Sequence, residues 1–127
     1  MKGLPREARP IWAELTASPV SDVASLRAEL ADYRERIQGE AGRRELFDHA
    51  RGLRVAESCA ALLDRWGTLS GDDQRIAQAA VRYFLRQRDG EDDFESVTGF
   101  DDDAAVMNAA LEHLGFDVLG IDQDKTP

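Results

Sequence analysis

SDVASLRAELADYRERIQ, residues 21–38, decides the fold. Val23, Leu26, Leu30, Tyr33 and Ile37 recur at spacings of three, four, three and four, with mostly charged or small residues between them. An α-helix gathers residues so spaced onto one stripe, and a strand does not. Ser21 is the expected N-cap, because its hydroxyl can accept an amide proton that the first turn leaves over. Gly39 is the expected stop. A seam of this kind serves either the interior of a bundle or a contact between two chains. Its length is short for a free-standing coiled coil, so the first expectation is an intramolecular bundle. A homodimer joined through Val23, Leu26, Leu30, Tyr33 and Ile37 is the competing use.

The same periodicity continues downstream. Residues 41–66 predict a long helix whose buried face is Leu46, Phe47, Ala50, Leu53, Ala56, Ala60, Leu63 and Trp66, with Gly67 ending it. Ser70-Gly71-Asp72-Asp73 reads as an acidic capping box opening a further helix through Leu85. Apolar residues cover more than half of that helix's circumference, so it should lie at the centre. Asp101-Asp102-Asp103 opens a last helix that runs to Leu114 and stops at Gly115. Upstream, Pro10 suits the first turn of a short helix over residues 11–16, anchored by Trp12 and Leu15. The expectation is therefore all-α: a single-domain, four- to five-helix bundle-like fold. Residues 1–20 form an N-terminal arm, 21–119 the helical domain and 120–127 a flexible tail.

Composition agrees. The 127 residues are 43% hydrophobic, enough for a core, and are rich in the residues that lose least on entering a helix. A single cysteine, Cys59, cannot form an internal disulfide, and the apolar side of the third helix is its expected place. The opening residues lack the apolar stretch of a signal peptide, and no apolar run could span a bilayer. These points together predict a cytoplasmic protein with no membrane partner.

Charge is the least ordinary feature. The net charge is −9, yet the stretch Asp89 to Asp103 holds eight acids and no base, while the remaining residues hold 17 acids and 16 bases. A nearly neutral body thus carries one anionic segment, which disfavours nucleic acid as a partner. Helix initiation accounts for Asp101, Asp102 and Asp103, which would sit beside the positive end of a helix dipole. It leaves Asp89, Glu91, Asp92, Asp93 and Glu95, and these are the candidate surface for a protein partner with a basic patch. Arg82, Arg86 and Arg88 precede them and could neutralise some.

A hard cation, Ca²⁺ or Mg²⁺, is the alternative ligand, on Asp93, Asp101, Asp102 and Asp103, with Asp92 available beside them. An EF-hand register from Asp89 gives Asp89, Glu91, Asp93 and Glu95 at positions 1, 3, 5 and 7 of the loop. It fails at Phe94, where glycine is required, and at Phe100, where a bidentate glutamate is required. No other cofactor is expected. The basic residues Arg43, Arg44, Arg51 and Arg54 sit among Glu40, Glu45 and Asp48, so local pairing accounts for them. His49 and His113 lack the companions that a di-iron or zinc site needs, and no nucleophile, phosphate or dinucleotide motif is present. The sequence leans toward a non-enzymatic protein, with a metal-binding protein or metal-dependent enzyme on the Asp-rich loop as the alternative, and no catalytic residue is assigned.

The stretch Ala79-Ala80-Val81-Arg82-Tyr83-Phe84-Leu85, then Asp92-Asp93-Phe94, then Gly99-Phe100-Asp101-Asp102-Asp103-Ala104-Ala105-Val106, resembles the YkvA-like helical domain family over residues 78–115. The loop lacks the prolines typical of that family and is denser in acids. The resemblance implies a helical hairpin around Asp93, Gly99, Asp102 and Asp103.

Overall fold

The computed structural model describes residues 3–20, 22–41, 49–85, 101–116 and 120. Among them are five α-helices: α1 Arg9–Ala17, α2 Val23–Ala41, α3 His49–Leu63, α4 Gly71–Leu85 and α5 Asp101–Leu114. No strand occurs among the described residues. The architecture is an all-α bundle.

Helix α4 is its axis. Ala77, Gln78, Ala79, Ala80, Val81, Tyr83, Phe84 and Leu85 are all buried, so its last nine residues leave only Arg82 half-exposed. A helix covered on nearly every side needs neighbours on every side. Helices α1, α2, α3 and α5 all pack against it. The start of α4 is set by Ser70, whose Oγ accepts the Asp73 amide at 3.2 Å, with Asp72 and Asp73 in the first turn to complement the dipole.

The α2 seam turns inward. Leu26, Leu30, Tyr33 and Ile37 are buried, and Val23 packs half-buried at the edge of the core. Tyr33 meets Phe84 of α4 with ring centroids 4.9 Å apart, tilted by 55°. That geometry sets the positive edge of one ring near the negative face of the other. The intramolecular use of the seam is therefore the one observed. Its side chains are spent on this chain's own core, so a second copy would have to meet another face.

Helices α2 and α3 are antiparallel neighbours. Arg27, near the start of α2, donates from Nη1 to Asp64 at 3.0 Å and from Nη2 to the Leu63 carbonyl at 3.1 Å, just where α3 ends. Helix α1 lies against α4 with Trp12 buried, and its exit is fixed by a core amide. Gln78 is fully buried and donates from Nε2 to the Pro19 carbonyl at 2.9 Å. At the other end, Gly115 adopts a left-handed φ of 85°. The Phe116 amide reaches the Leu111 carbonyl at 2.8 Å and the Gly115 amide reaches Glu112 at 3.2 Å. This pair of bonds is a Schellman closure, with Phe116 packed back onto the core and lying under the Arg65 guanidinium.

Several details differ from expectation: α1 runs from Arg9 to Ala17 rather than over 11–16, and Ala50, expected on the buried face of α3, is exposed. Helix α2 passes through Gly39 to Ala41, because Gly39 is exposed with no neighbour close enough to matter and helix-forming residues follow it. Helix α3 ends at Leu63, and Trp66 belongs instead to a 3-10 turn, Trp66–Thr68, whose Trp66 carbonyl accepts from Gln74 Nε2 at 3.0 Å. The expected N-terminal part of the third helix, residues 42–48, lies outside the described residues, as does Ser21.

Phe84→Ala should cost about 3–5 kcal/mol of unfolding free energy, since it removes the ring that Tyr33 packs on at the bundle axis. Gln78→Met keeps the volume but leaves the Pro19 carbonyl unmet, and should cost about 1–3 kcal/mol. Urea unfolding followed by circular dichroism measures both. A Gln78→Met midpoint equal to wild type would remove the role given to that amide.

Candidate functional site

The anionic stretch is bracketed by core helices. Its flanks, Tyr83, Phe84 and Leu85 on one side and Ala104, Val106 and Met107 on the other, are buried. Of the residues expected to face a partner, Asp89, Glu91, Asp92, Asp93 and Glu95 lie outside the described residues, as do Phe94 and Gly99 and the flanking Arg86 and Arg88. Asp101 and Asp102 are the first two residues of α5.

Asp103 departs from the expected surface acids. It is only 1% exposed, buried on the packed side of the first turn of α5. Helices of this fold leave their first amide groups unmet by their own carbonyls, so the first turn is the least costly place in a core for a carboxylate. Its neighbour across the α3–α5 contact is Cys59, which is fully buried. Burial makes the Cys59 thiol much less acidic than an ordinary thiol, and the negative charge of Asp103 pushes it further the same way. A thiol so held is a small hydrophobe in a dry interior and a poor nucleophile.

Of the expected cation ligands, Asp93 and the side chains of Asp101 and Asp102 lie outside what the structure describes. Among the described residues, no group of three or more His, Cys, Asp or Glu side chains comes together as a cation would require. His113 is exposed in the last turn of α5, where a cation complements the dipole. Arg51 is half-buried and Arg54 exposed on α3, while Arg43 and Arg44 lie outside the described residues. Among the described residues no helix is long and apolar enough to cross a membrane.

The sequence reading missed a cleft between α2 and α3. It encloses about 340 Å³ and is floored by Leu30, Ala56, Ala60 and Leu63. Arg27 and Arg34 stand over it from α2, with Glu35 and Gln38 beside them. Arg27 and Arg34 are separated by seven residues, two helical turns on one face, and Ala56 and Ala60 by four. Those two intervals were the available signal, and only the pairing of α2 with α3 gives them meaning.

The Cys59 assignment has a pH consequence. The folded chain holds the thiol proton more tightly than the unfolded chain, so the thiol's contribution to stability is complete below about pH 9 and declines as pH rises beyond it. One proton gives a slope of at most about 1.4 kcal/mol per pH unit. Urea unfolding of wild type and Cys59→Ala at a series of alkaline pH values should show that extra slope in wild type alone. Parallel curves would mean that Cys59 ionises as freely in the folded chain as in the unfolded one.

No family model, no curated protein and no solved structure matches this chain.

Proposed function

We propose that this chain is a non-enzymatic protein-binding or regulatory module that recognises a basic patch on a protein partner through Asp89, Glu91, Asp92, Asp93 and Glu95. The observation that carries the reading is charge segregation: eight acids without a base in one stretch, on a body that is otherwise close to neutral. Charge arranged in this way raises the rate of encounter and selects among partners more than it adds affinity. Support also comes from the flanks, because α4, which precedes the stretch, and α5, which follows it, are both packed in the core. Asp103 is withdrawn into the interior and takes no part. A cytoplasmic setting belongs to the same proposal, and so does kinship with YkvA-like helical domains over residues 78–115.

The test is a fivefold neutralised variant, with Asp89, Asp92 and Asp93 changed to Asn and Glu91 and Glu95 to Gln. Cross-linking and pull-down from lysate at low and high salt should recover salt-sensitive partners with wild type and lose them with the variant. Identical partners with identical salt dependence would end the proposal. The rival, a Ca²⁺ or Mg²⁺ site on Asp93, Asp101, Asp102 and Asp103, is separated by calorimetric titration of wild type and Asp102→Asn. Heat that disappears in the variant would favour the metal over the protein partner.

A further inference from the structure

Independently of the anionic stretch, we propose that the cleft between α2 and α3 binds a small amphiphilic carboxylate, its acid group on Arg34 and its alkyl part on the apolar floor that runs toward Arg27. The cleft's volume, about 340 Å³, falls at the lower end of the range of roughly 300–1,000 Å³ typical of small-molecule sites. Its chemistry is divided as such sites are. Leu30, Ala56, Ala60 and Leu63 supply hydrocarbon, and the short alanines leave the room that larger side chains would fill.

The polar side holds two cations, Arg27 already paired with Asp64 and Arg34 beside Glu35, in a protein that is strongly anionic as a whole. Arg27 is already fixed in place by its bonds to Asp64 and to the Leu63 carbonyl. A guanidinium carries five N–H donors, so those two bonds leave donors to spare on a group whose orientation is set before any ligand arrives. Arg34 lies two turns along the same face, at the opposite end of the floor from Leu63, and Gln38 adds an amide one turn beyond. With Arg27 engaged by Asp64 and the Leu63 carbonyl, Arg34 is the cation open to a ligand, which suits one anionic head and a short tail laid along the floor. A polyanion would meet Glu35, and a wholly apolar ligand would make no use of Arg34.

The probe is octanoate, titrated calorimetrically into the full chain, with octan-1-ol as the uncharged comparison. Octanoate should bind saturably with a dissociation constant in the millimolar range or tighter. Octanol should bind at least about tenfold more weakly, the loss expected for one charge-assisted hydrogen bond. Arg34→Ala changes an exposed side chain and should weaken octanoate by a similar factor. Ala60→Phe should fill the cleft and abolish binding while circular dichroism stays helical. The proposal is overturned by the absence of saturable heat, by octanol binding as tightly as octanoate, or by unchanged affinity in Arg34→Ala. If Ala60→Phe unfolds the chain, Arg34→Ala and the octanol comparison decide. The fivefold neutralised variant should bind octanoate as wild type does, which keeps this result separate from the partner proposal.

Discussion

Burial of α4 on nearly all sides is the constraint from which the rest of the structure follows. A helix that leaves only one of its last nine residues half-exposed cannot be stabilised from one face, and four other helices are needed to cover it. The inward turn of the α2 seam is one consequence, because Tyr33 is required against Phe84. The docking of α1 is another. A nine-residue helix is too short to persist alone, and Trp12, together with the Gln78 bond to Pro19, holds it to the axis.

Helix existence and helix faces were legible in the sequence; tertiary pairing was not. The intervals from Val23 to Ile37 announced a buried stripe, and the apolar breadth of residues 76–85 announced the central helix, since both signals are local. Gly39 misled because glycine ends a helix by turning left-handed, as Gly115 does, whereas Gly39 keeps helical backbone and α2 runs on to Ala41. Trp66 misled because its apolar character suited a helix face, while the backbone had already tightened into a 3-10 turn at that point.

Asp103 shows the same division in electrostatic terms. As part of a triplet it looks like its neighbours, and the dipole argument applies to all three alike. What sets its place is rotation: at 100° per residue the third position of α5 falls on the packed side, where Asp103 is buried within electrostatic reach of Cys59. No property of the triplet itself distinguishes a surface carboxylate from an interior one. The packing partner of α5 does.

The α2–α3 cleft arises from the way large side chains are distributed. Helix α2 directs Tyr33 toward α4, and along α3 the positions opposite Leu30 and Arg34 are taken by Ala56 and Ala60. Two helices joined through large residues on one side and alanines on the other leave a gap on the alanine side unless long polar side chains close over it. Arg27 does so at one end, and its bonds to Asp64 and Leu63 hold it there. That ion pair is solvent-exposed on both partners, at 47% and 64%, and such pairs contribute at most about 1 kcal/mol to stability. Its larger effect is geometric: it fixes one rim of a half-apolar cleft, so the groove keeps its shape without any residue of the core being reassigned.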